Sequence, residues 1–196
     1  VQRAIDQRFD AIVLSPSHYS RLEDVVAKAR SAGIKVVLAD TALRNQTADF
    51  LITTDYRQIG KAMAEHAFTH FSEGEPINAL VIGSMPNTTS MTNLVESLVQ
   101  TFSERTNARI VSATYSFTNE TIAREITRNA LESDPSINLV FALEEYTAHG
   151  VANALGDSSD IHFIAFGTTQ FEIQLLEKGV IDALVVVNSF NLGYRS

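Results

Sequence analysis

Asp40 closes the apolar run Lys35-Val36-Val37-Leu38-Ala39. An acidic group there costs free energy unless it is hydrogen-bonded or faces water. Two readings stay open for it: a loop or helix cap, or a carboxylate that accepts two hydrogen bonds from the vicinal hydroxyls of a sugar. His66 and His70 stand four residues apart on one helical face, which is metal-ligand spacing. The residue after His66 is Ala67, so the H-E-x-x-H protease pattern fails, and two histidines on a half-buried helix face need no metal. Glu144 and Glu145 form an acidic pair at a strand end, but neighbours in a strand point to opposite faces and do not share a site. That geometry has Glu145 cap the helix at Tyr146 through the dipole and leaves Glu144 facing a cleft. Asn45-Gln46-Thr47, Asn87-Thr88-Thr89 and Asn119-Glu120-Thr121 match the glycosylation acceptor pattern. The pattern is short, and Asn119 reads better as a helix cap.

Other chemistry is excluded by what the sequence lacks. There is no G-x-G-x-x-G, no G-x-x-x-x-G-K-[ST] and no G-x-S-x-G, so no phosphate cradle or nucleophile elbow is predicted. With no cysteine, disulfides and thiolate metal sites are ruled out. The 196 residues carry a net charge of -8, which repels phosphate backbones and argues against direct nucleic-acid binding by this chain. No apolar run reaches the roughly 18 residues of a membrane span. We therefore predict no catalytic residues, no metal and no cofactor. The first residues already read as the end of an amphipathic helix, through Val1, Ile5 and Phe9. The last ones, Tyr194-Arg195-Ser196, fall within a new helix, so the chain reads as an internal piece of a longer protein.

The elements that position these residues alternate regularly. Strands are predicted at 11–15, 35–39, 50–52, 79–83, 109–116, 139–143, 161–166 and 182–187; the run at 11–15 is continuously apolar and suited to burial on both faces. Between them the apolar spacing is helical at 20–32, 55–71, 93–105, 119–131, 146–155 and 170–177. Asp55 is placed as an N-cap, and Gly60, in the turns after it, permits close packing against a neighbour. This rhythm means βαβ units and a mainly parallel sheet, hence an α/β fold. In open sheets of this class ligands sit outside the carboxyl ends of the strands. Here those ends fall at Ser15, Asp40, Thr54, Ser84, Phe117, Glu144, Gly167 and Asn188.

Several segments, in order, carry a family resemblance. Phe9 to Pro16, Ala32 to Asp40, Thr54 to Gly60, Phe141 to Gly150, Gly179 to Ala183 and Asn188 to Tyr194 together resemble the type I periplasmic binding proteins. The ribose- and galactose-binding proteins, and the effector domains of lactose-repressor-type regulators, share these patterns. The resemblance implies two Rossmann-like lobes with parallel sheets joined by a hinge, the first lobe incomplete at its N-terminus. It divides the chain into 1–54 as part of the first lobe, 55–187 as the second, and 188–196 crossing back to the first. It implies closure around a small polar ligand, a carbohydrate above all, with Thr53, Thr54 and Asn188 at the hinge.

The ligand-binding residues implied are Ser15, Asp40, Thr41, Ser84, Asn93, Glu144, Thr168 and Asn188. Asp40 matches the family pattern outright, and Ser15 stands in for an asparagine. The arginine that such sugar binders commonly place after their fourth strand is replaced in Met91-Thr92-Asn93-Leu94, and the expected Asn-Asp pair is Glu144-Glu145. These departures leave open a sugar other than ribose or galactose, or another small polar ligand. Two functions follow from the resemblance. One is the solute-binding component of a bacterial sugar transport system, periplasmic or extracellular and membrane-anchored, working with a membrane permease. The other is the cytoplasmic effector domain of a transcriptional regulator, with a fused DNA-binding domain and a homodimer partner.

Overall fold

In the computed structural model the described residues are 1–45, 48–156 and 160–196. Their contacts divide the chain into two compact units. The first comprises Val1–Tyr56, Asn87–Thr92 and Asn188–Ser196, and the second comprises Arg57–Pro86 and Asn93–Val187. The acceptor pattern at Asn45 runs into Gln46 and Thr47, which lie outside the described residues.

The first unit opens with α1 (Gln2–Asp6), followed by β1 (Ala11–Leu14), α2 (Glu23–Ser31), β2 (Lys35–Ala39) and β3 (Phe50–Ile52). The three strands form one parallel sheet in the order β1-β2-β3, with Leu14 opposite Leu38 and Leu38 opposite Leu51. Parallel neighbours need a crossover, and α2 supplies it between β1 and β2. The core is Val26 and Ala29 of α2 packed with Val36 and Leu38 of β2, and with Ile34 and Leu43. A polar clamp fixes the amino-terminal end of β2. The Asp49 carboxylate accepts from the Val36 amide at 2.9 Å and pairs with Arg30 and Lys35 at 3.4 and 3.6 Å. The Val36 amide above all, helped by the two cations against a smaller opposing effect of burial, holds the Asp49 carboxyl below its usual range.

The second unit takes up most of α3 (Tyr56–Phe68), then β4 (Ile77–Gly83), most of α4 (Thr89–Ser103), whose first turn belongs to the first unit, β5 (Ala108–Tyr115), α5 (Glu120–Ser133), β6 (Leu139–Ala142), α6 (Glu145–Leu155), β7 (His162–Phe166), α7 (Gln170–Glu177) and β8 (Ala183–Val185). All five strands are parallel, in the order β5-β4-β6-β7-β8. With helices over the sheet, β4 and β6 are buried almost throughout, which is why their sequences read as unbroken apolar runs. Leu80, Ile82, Val140, Ala142 and Phe163 supply the centre of this core.

Two glycines set how closely the helices approach. A Cβ on Gly60 of α3 would run into the Leu94 carbonyl of α4 and lie 3.1 Å from the Leu98 amide nitrogen. One on Gly150 of α6 would meet the Glu120 carbonyl and the Ala123 side chain of α5. The close packing expected at Gly60 is therefore present, and α4 is its neighbour. A short α8 (Ser189–Arg195) belongs to the first unit. Among the described residues no helix is long and apolar enough to cross a membrane.

Candidate functional site

Asp40 follows β2 with its backbone in the left-handed region, φ 67°. Asp and Asn tolerate that conformation better than other side chains, and it turns the residue out of the strand register. Its main chain is fixed at both ends: the amide donates to the Ile52 carbonyl at 2.8 Å, and the Thr53 hydroxyl donates to its own carbonyl. Its carboxylate is held as firmly. The Tyr56 phenol, at the start of α3, donates to Oδ1 at 2.5 Å, and the Thr41 hydroxyl lies 3.4 Å from Oδ2. Burial first, then the hydrogen bond to Asp40 and its charge, push the Tyr56 phenol well above the ordinary tyrosine range, so it stays a donor. Two acceptor positions are then occupied out of about four on a carboxylate, which leaves each oxygen able to take one more hydroxyl.

Ser15 lies at the same edge of the sheet. It follows Leu14, which pairs with Leu38, so it comes level with Ala39 at the carboxyl edge of the sheet and is exposed. Thr41 is different. It is buried, and its hydroxyl shares a 2.9 Å hydrogen bond with Ser90. Thr89 adds a second link, accepting from the Ala42 amide at 2.8 Å and donating to the Ala42 carbonyl at 3.2 Å. Thr41 thus steadies the loop behind Asp40 from below. Asn188 is exposed and accepts from the Asn191 amide at 2.8 Å, which makes it the N-cap of α8.

The strand order of the second unit reverses direction between β4 and β6, and the carboxyl ends of such a pair form the crevice where doubly wound sheets bind ligands. Ser84 and Glu144 are the residues at those two ends. Ile82 pairs with Ala142, so Ser84 and Glu144 are level with each other. Thr168 lies exposed on the loop after β7. Asn93 sits one turn into α4, because that helix begins at Thr89 and not at Asn93 as the sequence suggests.

Glu144 needs a correction. It, and not Glu145, caps α6: its carboxylate accepts from the amides of Tyr146 and Thr147, each at 3.2 Å. Glu144 is still extended, φ -169° and ψ 157°, so its side chain can reach back to the free amides of the first turn, whereas Glu145 is already helical. The Thr147 hydroxyl donates to the same carboxylate at 3.2 Å and meets the buried Ser116 hydroxyl at 2.7 Å. The cap therefore ties the ends of β5 and β6 together.

Two positions at these edges, Tyr56 and Ser90, escape the sequence reasoning, and a third, Phe117, is marked there only as a strand end. Tyr56 anchors Asp40, yet one tyrosine in the first turn of an amphipathic helix carries no signal by itself. Ser90 reaches Thr41 across 49 positions of sequence, which no local pattern reveals. Phe117 follows β5 with φ 55° and remains 60% exposed, an aromatic face offered at the carboxyl edge of the sheet. Its only forewarning is a large apolar residue between Ser116 and Thr118 at a strand end.

Comparison with known proteins bears on the fold and the family. Among curated proteins, the chain is 27% identical over 86 residues to the D-xylose-binding periplasmic protein of Haemophilus influenzae. That match takes in 44% of this chain and 25% of the relative, so it spans a quarter of that protein's length. An ABC transporter solute binding protein from Agrobacterium vitis, solved with bound D-fucose, superposes with a TM-score of 0.91 at 24% identity, over 98% of this chain and 68% of that one. A sugar transporter structure from Clostridium phytofermentans gives 0.86 at 25% identity, over 98% and 69%. The family described as "Periplasmic binding protein domain" matches residues 1–196, the whole of the sequence. With that match across its full extent, the chain belongs to the periplasmic binding protein domain family, on the type I fold that its parallel sheets and strand orders build.

Proposed function

We propose that this chain binds a small sugar without transforming it, as the solute-binding component of a bacterial sugar transport system. The observation that carries the reading is the Asp40 carboxylate, fixed by Tyr56 at a strand end with acceptor capacity to spare for vicinal hydroxyls. Ser15 at the same sheet edge, and Ser84, Asn93 and Thr168 in the second unit, are the further polar residues the reading assigns to the ligand. Glu144 has a smaller part in it, because amides and a hydroxyl already use its carboxylate. Thr53, Thr54 and Asn188 are assigned to the hinge, near the points where the chain passes from one unit to the other after Tyr56 and after Val187.

The relatives named above are proteins of sugar uptake, which supports transport over transcriptional regulation. A periplasmic location and a membrane permease as partner belong to the same reading. Mechanistically, a ligand that binds the closed form more tightly than the open one shifts the population between them. Moving it from about 1:99 to 99:1 takes roughly 5.5 kcal/mol of differential binding, within reach of several buried hydrogen bonds. The test is a thermal-shift screen of pentoses, hexoses and their deoxy forms, followed by calorimetry on any sugar that raises the melting temperature. Saturable one-to-one binding of a sugar, lost with Asp40→Ala, is the expected result. No response from any sugar, or full affinity in Asp40→Ala, overturns the proposal.

A further inference from the structure

The opposite edge of the second unit's sheet brings together side chains that its sugar chemistry does not use. His162 is the first residue of β7, Asp182 immediately precedes β8, and His70 lies just beyond α3. All three stand at the amino-terminal end of the strands, away from Ser84, Glu144 and Thr168. One ligand atom from each lies within 4.8 Å of the others. We propose that His70, His162 and Asp182 form a binding site for a divalent transition-metal ion of the zinc class, distinct from the sugar site.

Three features favour a metal over a solvated cluster of polar side chains. First, the backbone on two of the three elements is rigid. Phe163 and Asp182 exchange hydrogen bonds: the Asp182 amide donates to the Phe163 carbonyl at 2.8 Å, and the Phe163 amide donates to Asp182 Oδ2 at 2.7 Å. A ligating carboxylate that is itself hydrogen-bonded is the usual outer-shell arrangement of a metal site. Second, His162 Nδ1 is 3.3 Å from Asp182 Oδ2. That is the distance of a direct polar contact, and it is also close to one tetrahedral edge, about 3.4 Å with metal–ligand bonds near 2.1 Å, so an ion can take up both atoms with little movement of either. Third, His70 Nε2 is buried with no hydrogen-bond partner, a polar atom whose desolvation is uncompensated as it stands.

The fit requires one movement. No two of the ligand atoms are more than 4.8 Å apart, so reaching about 3.4 Å asks for at most roughly 1.4 Å, within reach of side-chain rotation by a histidine just past a helix. The ring contacts are compatible with this. His70 and His162 have centroids 5.0 Å apart, and Phe71 packs edge-on against His162 at 4.9 Å, shielding one side. His162 and Asp182 also line a cleft of about 300 Å³, which leaves room for a water as the fourth ligand. Two imidazoles and one carboxylate suit zinc, cobalt(II) or nickel(II), and are poor for magnesium or calcium, which prefer all-oxygen shells. The i, i+4 partner His66 is not in this set, so the helical histidine pair of the sequence is not the ligand pair.

The experiment titrates the full chain, freed of metal with a chelator, with Zn²⁺ by calorimetry and with Co²⁺ by visible absorption. The expected result is one ion per chain, and cobalt bands of tetrahedral intensity. His70→Gln, His162→Gln and Asp182→Asn each lower the affinity at least tenfold, while His66→Gln changes it less than twofold. Circular dichroism of each metal-free variant identifies any that fails to fold, and the remaining two variants then decide. Absence of saturable binding, binding that survives substitution of the ligands in folded variants, or binding lost with His66→Gln overturns the proposal. Because the readout is the ion alone, the result is independent of whether a sugar binds.

Discussion

Replacing Asp40 by Asn is the sharpest perturbation of the proposed sugar site. Asparagine tolerates the left-handed backbone at φ 67°, so the loop after β2 keeps its conformation, which alanine would strain. The charge disappears and one carboxylate oxygen becomes an NH2 donor, while the other can still accept from Tyr56. Two ligand hydroxyls on the carboxylate contribute roughly 1.5–3 kcal/mol each as charge-assisted hydrogen bonds, and a neutral amide recovers only about 0.5–1.5 kcal/mol of each. The net loss is about 2–3 kcal/mol, a drop in affinity of roughly 30- to 140-fold. Stability should change by less, about 1 kcal/mol, since the Tyr56 bond is weakened and not removed. Calorimetry with the sugar identified by thermal shift measures the first quantity, and urea denaturation the second. A folded Asp40→Asn protein that binds that sugar within twofold of the unmodified chain would refute the placement of the site.

The other expectations concern the parts that hold the edges in place. Glu144→Ala should cost about 0.5–2 kcal/mol of stability through the cap of α6. Glu145→Ala should cost less than about 0.5 kcal/mol, and equal effects in urea melts would undo the assignment of the cap. Gly60→Ala places a methyl against the backbone of Leu94 and Leu98, where neither atom can swing aside. Overpacking of about 1–3 kcal/mol should then outweigh the roughly 1 kcal/mol that alanine gains in helix propensity, so a raised melting temperature would contradict the close crossing of α3 and α4. The raised Tyr56 phenol contributes stability that is fully present below the unfolded value near 10 and is lost as pH rises through the higher folded value. An absorbance titration of the five tyrosines should show a late step for Tyr56 that is missing in Tyr56→Phe.

The alternation of strands and helices was legible because parallel strands covered on both faces must be apolar at every position. The runs at β4 and β6 show this directly. Asn119 was equally legible as a cap, and it accepts from the Ile122 amide at 3.1 Å. Roles at the junctions were harder to read. Glu144 and Glu145 differ by one position, and which of them caps depends on where the backbone leaves the extended region, a matter of φ and ψ that composition does not encode. The supports of Asp40 come from 16 positions away in Tyr56, and Thr41 is held from 49 positions away by Ser90. Only the folded chain brings such pairs together. The same holds for His70, His162 and Asp182, drawn from three elements, where the sequence offered His66 as the partner instead.

The left-handed residues tie these observations to function. A non-glycine residue in that region costs on the order of 1–3 kcal/mol, and it persists only where its surroundings over-determine it. Four occur among the described residues: Arg8, Asp40, Phe117 and Thr118. Arg8 lies in the turn between α1 and β1, where the chain must reverse, and its conformation needs no further reason. The other three stand just past the carboxyl ends of β2 and β5, at the edges where open parallel sheets bind ligands. Each of these loops is secured by hydrogen bonds from a neighbouring strand end. Asp40 donates to Ile52, and the Phe117 amide donates to the Ser84 carbonyl at 2.8 Å. A loop that had only to connect strand to helix could relax such strain away. Held as they are, Asp40 presents a fixed carboxylate at the sheet edge of the first unit and Phe117 an exposed ring at that of the second; if Asp40 binds the proposed sugar, part of the ordering cost on its side is met beforehand.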